Sequence, residues 1–113
     1  MQDSIFTKII KREIPSDIIF EDKDVMVIKD INPLAPIHLL IFPKRQIATL
    51  NELTEKDSDL ISKIILVATK IAKDFKVDQT GYRLVMNCNE YAGQTVYHIH
   101  CHLLAGKKLK FEA

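Results

Sequence analysis

The segment from Thr54 to Phe75 constrains the fold most, because its apolar residues recur with the period of an α-helix. These residues occupy positions 60, 61, 64, 65, 68, 71, 72 and 75, which form one stripe along a helix. The segment starts with Thr54-Glu55-Lys56-Asp57, a sequence typical of a capping box, with Asp in the position that Glu usually holds. We therefore predict a long amphipathic helix that begins near Thr54 and ends between Phe75 and Asp78.

Strand-like runs flank this helix on both sides. Apolar and β-branched residues predict strands at 18–20, 25–30 and 37–42 before the helix and at 82–88 and 96–105 after it. Residues 4–11 have helical spacing behind Ser4, a candidate N-cap. The order predicts an α+β fold, a five-stranded, mainly antiparallel sheet with one long and one short helix. Because unpaired sheet edges tend to associate, we also expect a homodimer whose sheet continues across both copies.

Composition excludes several classes of protein. With 113 residues, of which 47% are hydrophobic, we expect a single domain over residues 1–113. The net charge of +1, without a basic run interleaved with aromatic residues, argues against nucleic acid as a partner. No apolar run approaches the roughly 20 residues that cross a bilayer, and the chain does not start like a secretory signal. We expect a cytoplasmic protein with no membrane association, in which Cys88 and Cys101 are unpaired.

Three of the four histidines alternate with other residues near the end of the chain. In an extended strand His98, His100 and His102 would line one face, while the apolar residues between them line the other. Imidazoles titrate near neutral pH, so aligned rings can attack an electrophile, carry a proton or hold a metal. This row of histidines predicts a reactive site.

The fourth histidine and one aspartate are candidates for supporting roles. His38 starts an apolar run after a proline-rich loop and, as the only other histidine, is expected beside the row. Asp30 ends the preceding apolar run before Asn32-Pro33. It is either a simple turn residue or an acceptor for sugar hydroxyls.

A polar loop over residues 87–95 precedes the histidine row. Gly93 would let a ligand approach the backbone closely, and consecutive amides could donate to phosphate together with the Asn87 amide and the Thr95 hydroxyl. An ordinary hairpin loop is the alternative. Beside three aligned imidazoles, a phosphate-binding loop is the favoured interpretation.

Two other interpretations of the histidine row remain open. Alternate histidines on a strand suit zinc, although no carboxylate lies between Glu90 and Glu112 in sequence to orient such ligands. A purely structural role would cost the desolvation of three imidazoles that valine or leucine would avoid.

The segment His98-Ile99-His100-Cys101-His102-Leu103-Leu104 resembles the signature of the histidine triad (HIT) family, in which three histidines alternate with apolar residues. The resemblance extends over most of the chain and includes Ile5-Phe6-Thr7-Lys8-Ile9-Ile10, Asp30-Ile31-Asn32-Pro33-Leu34-Ala35-Pro36-Ile37-His38 and Gly93-Gln94-Thr95-Val96-Tyr97-His98. It is similar to the Hint branch, whose members bind purine nucleotides and hydrolyse nucleoside phosphoramidates.

The resemblance implies a two-step reaction at phosphorus. His100 would attack the α-phosphorus of an adenosine or guanosine phosphoramidate, and water would release AMP or GMP from the nucleotidyl-histidine. His102 would contact the phosphoryl group and assist the leaving amine, while His98 and His38 orient the other rings. The scheme implies no cofactor and no metal.

The same resemblance implies a set of nucleotide contacts. The loop residues would bind phosphate, Asp30 would bind the ribose hydroxyls, and apolar side chains would wall the base. The phosphate contacts would come from Asn87, Gly93, Gln94 and Thr95, and the base contacts from Phe6, Ile9 and Ile31.

Departures from the family pattern concern zinc and the loop. Many bacterial relatives hold a structural zinc with two cysteines and a histidine, and the corresponding positions here are Ser4, Thr7 and Gln46. We therefore expect no such zinc. Ala92 and Thr95 replace the commoner glycine and serine, which predicts slower activity. The alternatives are a nucleotide-binding or partner-interaction module with incidental hydrolysis, and a zinc-binding protein.

Overall fold

A five-stranded antiparallel sheet forms the centre of the molecule. The computed structural model describes residues 2–111. The strands are β1 Ile18–Glu21, β2 Val25–Lys29, β3 Ile37–Pro43, β4 Tyr82–Val85 and β5 Cys101–Ala105. Their order across the sheet is β1-β2-β3-β5-β4, and each neighbouring pair is antiparallel. The predicted α+β fold, with one long and one short helix, is confirmed.

The long helix, α2, spans Ser58–Asp74 and covers one face of the sheet. The predicted capping box is present, with the Thr54 amide donating to Asp57 Oδ2 at 2.9 Å. It closes a 3-10 turn at Glu55–Asp57, so the α-helix itself begins later than the sequence predicts. Ile64, Ala68, Ile71 and Ala72 of the predicted stripe are buried in the core together with Val67, whereas Ile65 of the stripe is exposed.

The short helix, α1, spans Ile5–Ile10 and lies on the opposite face. Ser4 caps it, since its Oγ accepts the Thr7 amide at 3.0 Å. Phe6 is buried and stacks on Phe42 of β3, with 4.5 Å between the ring centroids. This second apolar layer anchors α1 over the middle of the sheet.

The last two strands are shorter than the sequence predicts. β4 ends at Val85 rather than at residue 88, and β5 begins at Cys101 rather than at residue 96. The Ile99 amide donates to the Ile47 carbonyl at 2.7 Å, so the chain before β5 bonds to the segment after β3. His98 and His100 therefore precede the strand, so the alternation of side chains along a strand does not determine which way their rings point.

The structure bears on two further expectations, that the cysteines are unpaired and that no helix crosses a membrane. Cys88 and Cys101 are both free thiols, and burial raises the pKa of Cys101 to about 11. Within residues 2–111, neither helix has the length and apolar character to cross a bilayer.

Candidate functional site

The four histidines meet on the face of the sheet that α1 covers. His102 lies on β5 opposite Leu40 of β3, and its ring centroid is 4.9 Å from that of His100 and 5.2 Å from that of His38. Phe6 of α1 contacts the rings of His98 and His100 edge-on, at 5.5 and 5.0 Å. The strands and α1 thus bring together all four histidines that the sequence singled out.

His98 is enclosed rather than facing the open side of the site. Its ring is fully buried, and Nε2 lies 2.7 Å from the Pro43 carbonyl oxygen. A carbonyl only accepts, so Nε2 carries the proton and Nδ1 accepts from the Ser4 hydroxyl at 2.7 Å. Both nitrogens are occupied inside the protein, which corrects the prediction that His98 shares an open face with the other two rings.

The tautomer of His100 follows from one hydrogen bond. Its Nδ1 lies 2.8 Å from the carbonyl oxygen of His98, so Nδ1 carries the proton. In the neutral ring, Nε2 then has a lone pair and no proton. A neutral imidazole with this lone pair can act as a nucleophile. His100 is also partly exposed, so a substrate can reach it.

The tautomer of His102 is set by His38 through a chain of donors. The Leu34 amide donates to His38 Nδ1 at 3.0 Å, so neutral His38 carries its proton on Nε2. That Nε2 lies 2.9 Å from His102 Nδ1 and 3.4 Å from Asp30 Oδ2. Nδ1 of His102 therefore accepts, and neutral His102 carries its proton on Nε2, as a hydrogen-bond donor.

Burial keeps the histidines neutral. Desolvation is the main cause that lowers the pKa of His38, His98 and His100. For His102, burial, followed by the neighbouring histidines, lowers the pKa to about 4. The Asp30 carboxylate acts in the opposite direction on all but His98, because its negative charge favours the protonated ring. At neutral pH the tautomers above are the ones that matter.

Asp30 lies at the border of the histidine cluster. One carboxylate oxygen, Oδ1, accepts the Asn32 amide at 2.8 Å, which is the turn role considered from the sequence. The other, Oδ2, faces His38 Nε2. The next residue, Ile31, is 86% exposed at the surface. The ribose and base contacts of Asp30 and Ile31 stay predictions.

The loop over residues 87–95 folds around Gln94. This side chain is buried, accepts the Asn89 amide at 2.7 Å, and donates to the carbonyls of Ala48 and Val96 at 2.8 and 3.0 Å. Gln94 thus holds the base of the loop and fixes its path.

Three backbone amides at the tip of the loop are hydrogen-bonded within the loop. Those of Ala92, Gly93 and Gln94 donate to carbonyls of Asn89 and Glu90, so the expected row of free amides is not formed. Gly93 adopts a φ of 85°, a left-handed conformation that glycine reaches without strain. The exposed Thr95 and the partly buried Asn87 remain the predicted side-chain donors to phosphate.

The predicted base contacts of α1 are buried beneath the helix. Phe6 and Ile9 are 4% and 5% exposed and belong to the apolar layer between α1 and the sheet. Phe6 reaches the site through its contact with His100. Contact of either side chain with a base stays a prediction.

The group of described residues that could hold a metal includes only one member of the histidine row, His102. Within residues 2–111, ligand atoms of Asp30, His38 and His102 lie within 4.8 Å of one another. Two of these atoms already share the hydrogen bond between His38 and His102. The tripod of His98, His100 and His102 considered from the sequence is not assembled, because both nitrogens of His98 are bonded elsewhere.

Sequence reasoning missed two of the backbone groups that set the tautomers. The Pro43 carbonyl fixes His98, and the Leu34 amide fixes His38. Every residue type supplies such groups, so no residue pattern could have found them.

Comparison with known proteins gives one family. The family model described as the HIT domain matches residues 11–109. The purine nucleoside phosphoramidase of Escherichia coli (strain K12) is 47% identical over 108 residues, which are 96% of this chain and 91% of that protein.

Solved structures agree with the sequence comparison. A HIT family hydrolase from Legionella pneumophila Philadelphia 1 superposes with a TM-score of 0.95 at 46% identity, covering 96% of this chain and 97% of its own. A histidine triad protein from Clostridium difficile also gives a TM-score of 0.95, at 44% identity, covering 100% of this chain and 98% of its own.

Proposed function

Because the chain belongs to the HIT family, we propose that it is a purine nucleoside phosphoramidase that works through a nucleotidyl-histidine intermediate. The similarity to the purine nucleoside phosphoramidase of Escherichia coli supports the hydrolase class and the substrate. The single observation that carries the mechanism is the hydrogen bond from His100 Nδ1 to the His98 carbonyl.

His100 is the proposed nucleophile. Its Nδ1 proton is held by the His98 carbonyl at 2.8 Å, so the lone pair on Nε2 attacks the α-phosphorus while the ring keeps its orientation. The positive charge that develops on the ring is stabilised by the same carbonyl oxygen. The P–N bond breaks, and the amine leaves with the proton that His102 donates from Nε2. Water then attacks phosphorus and returns a proton to His102, the bond to His100 Nε2 breaks, and the nucleoside monophosphate leaves.

His102 is the proposed donor to the reacting group. Because Nδ1 of His102 accepts the hydrogen bond from His38 Nε2, neutral His102 carries its proton on Nε2. A donor at this position stabilises negative charge on a phosphoryl oxygen and assists the leaving nitrogen. The His38–His102 bond therefore supports the assignment of a positioning role to His38.

Nucleotide binding is assigned to the loop and to Asp30. The exposed Thr95 hydroxyl and the Asn87 amide would contact phosphate, with Gly93 at the loop tip and Gln94 holding the loop. Asp30 would accept from the ribose hydroxyls. AMP and GMP are the proposed products.

We further infer a homodimer. β4 is an edge strand of the sheet, and an edge strand favours pairing with a second copy. Leu66 of α2, which is 66% exposed, adds apolar surface to the molecule. Light scattering of the purified protein tests this assembly.

Adenosine 5′-phosphoramidate tests the proposed function. Wild-type protein and His100→Gln are incubated with this substrate in the presence of EDTA, quenched at short times and examined by intact mass. Wild type is expected to gain one nucleotidyl group transiently and to release AMP. The guanosine analogue should behave alike, and the uridine analogue should react more slowly.

His100→Gln keeps a polar side chain of similar length but has no nucleophilic ring. Labelling of this variant at the wild-type rate would contradict the assignment of His100. AMP binding by wild type without labelling or turnover, with or without EDTA, would favour the binding module. Turnover in a parallel sample without EDTA that is lost when EDTA is present would favour a metal-dependent reaction.

A further inference from the structure

Three polar side chains bonded to one another lie beside His98, and two of them, Ser4 and Thr7, reach its Nδ1 at 2.7 and 3.4 Å. We call Ser4, Thr7 and Gln46 the Ser4 cluster. Ser4 and Thr7 belong to the start of α1, and Gln46 lies in the segment that follows β3. The cluster thus joins a helix, a loop and a buried histidine at one point.

Gln46 fixes the direction of the hydrogen bonds. Its Oε1 lies 2.7 Å from the Thr7 hydroxyl and 2.9 Å from the Ser4 amide, and its Nε2 donates to the Gln2 carbonyl at 2.9 Å. An amide oxygen only accepts, so Thr7 gives its single hydroxyl proton to Gln46.

The Ser4 hydroxyl has two acceptors within reach, Nδ1 of His98 and the hydroxyl oxygen of Thr7. Its oxygen accepts the Thr7 amide at 3.0 Å and lies 2.7 Å from Nδ1 of His98. The Thr7 oxygen is the more distant acceptor, at 3.2 Å, and lies 3.4 Å from His98 Nδ1. Because Nε2 of His98 donates to the Pro43 carbonyl, Nδ1 of the neutral ring has no proton and accepts from Ser4, the nearer hydroxyl.

His98 is consequently held from both sides of its ring. Ser4 donates to Nδ1, while Nε2 donates to the Pro43 carbonyl at 2.7 Å. The ring also meets Phe6 and Phe42 edge-on, at 5.5 and 5.6 Å between centroids. A ring fixed at four points fixes its own backbone, including the carbonyl that accepts from His100.

We propose that the Ser4 cluster is a positioning site for the nucleophile: Ser4, together with the Pro43 carbonyl, holds the Nε2-protonated ring of His98 in place, and the backbone carbonyl of His98 thereby orients His100. The effect of Ser4 on the His98 ring is inferred from the hydrogen bonds alone. Its effect on the reaction rate rests also on the proposed function. Ser4 does not touch the reacting atoms and is a positioning residue.

Variants of Ser4 separate positioning from helix capping. Ser4→Ala removes the hydroxyl, Ser4→Thr restores it, and Ser4→Asp keeps a side chain that caps helices well but can only accept. Thr54→Ala is the matched control, because Thr54 also caps a helical turn with its hydroxyl, which accepts the Lys56 amide. All four proteins are compared with wild type.

The first readout is the ¹⁵N NMR spectrum of histidine-labelled protein without substrate. Wild type and Ser4→Thr are expected to show His98 with a protonated Nε2 and a bare Nδ1. Ser4→Asp should draw a proton onto Nδ1, and Ser4→Ala should shift the Nδ1 signal. An unchanged His98 spectrum in both Ser4→Ala and Ser4→Asp would overturn the inference.

The second readout is the rate of nucleotidyl-enzyme formation and the Kd for AMP. Loss of one such hydrogen bond predicts about a tenfold slower labelling in Ser4→Ala, with the Kd changed less than twofold and the rate recovered in Ser4→Thr. An equal slowing in Thr54→Ala would show a general effect of stability and overturn positioning. Lack of turnover in wild type, with the expected His98 tautomers, would instead refute the proposed function and leave the hold on His98 intact.

Discussion

The pH dependence of stability tests whether burial holds His102 neutral. Its pKa is lowered from an ordinary value of 6.5 to about 4, chiefly by desolvation. As the pH falls through 6.5, the unfolded chain takes up a proton that the folded protein does not. The stability that comes from keeping His102 neutral is therefore fully present well above pH 6.5. It is lost progressively as the pH falls from 6.5 to 4, where the free energy of unfolding decreases.

The size of the effect follows from these two values. Between pH 7.5 and 5.0 the free energy of unfolding falls by about 2 kcal/mol on account of His102 alone. Partial contact of the ring with solvent screens the effect, so this figure is an upper value. The other three histidines add to the loss, since burial lowers their pKa values as well.

Comparison with His102→Gln isolates the contribution. Glutamine does not titrate, and its oxygen can accept the His38 proton in place of Nδ1. Urea unfolding is followed by circular dichroism at pH 7.5 and 5.0, at one protein concentration because an oligomer links stability to concentration. Wild type is expected to lose up to about 2 kcal/mol more than the variant over this interval. Equal losses in the two proteins would refute the argument that burial keeps His102 neutral.

Two predictions concern the packing that carries the site. Phe6→Ala should lower the free energy of unfolding by about 3–5 kcal/mol, because it leaves a cavity where a buried ring stacks on Phe42. Phe6→Leu should lower it by less than half of that, since leucine fills most of the space. Urea unfolding of both variants measures the difference. Gly106→Ala should be less stable than Gly81→Ala by about 1–3 kcal/mol in the same assay. Both glycines have positive φ, but only at Gly106 would a Cβ lie 2.9 Å from a proline side chain. Equal stabilities would show that backbone strain alone decides the cost.

The fold was largely predictable because its signals are local and periodic. The apolar stripe of α2, the capping box at Thr54 and the Ser4 cap of α1 all depend on neighbours within a few residues. The end of β4 and the start of β5 were not predictable in this way. They are set by the bond between Ile99 and Ile47, which lie 52 positions apart in the numbering.

The sequence predicted which histidines form the site, but not which nitrogen of each ring donates and which accepts. The sequence placed His100 and His102 side by side, yet strand alternation gave His98 the wrong surroundings because the strand starts after it. Tautomers depend on which backbone carbonyl or amide faces each ring, and the sequence does not encode that contact locally. Likewise, Gln94 looks like any polar loop residue until its buried hydrogen bonds are seen.

The junction between α1 and His98 is built from hydroxyl and amide groups. Such groups are not oxidised by peroxide, do not exchange with disulfides and bind divalent metals weakly compared with thiolates. The helix that carries Phe6 is thus held to the sheet by contacts whose strength does not vary with the supply of zinc or with the redox state of the surroundings.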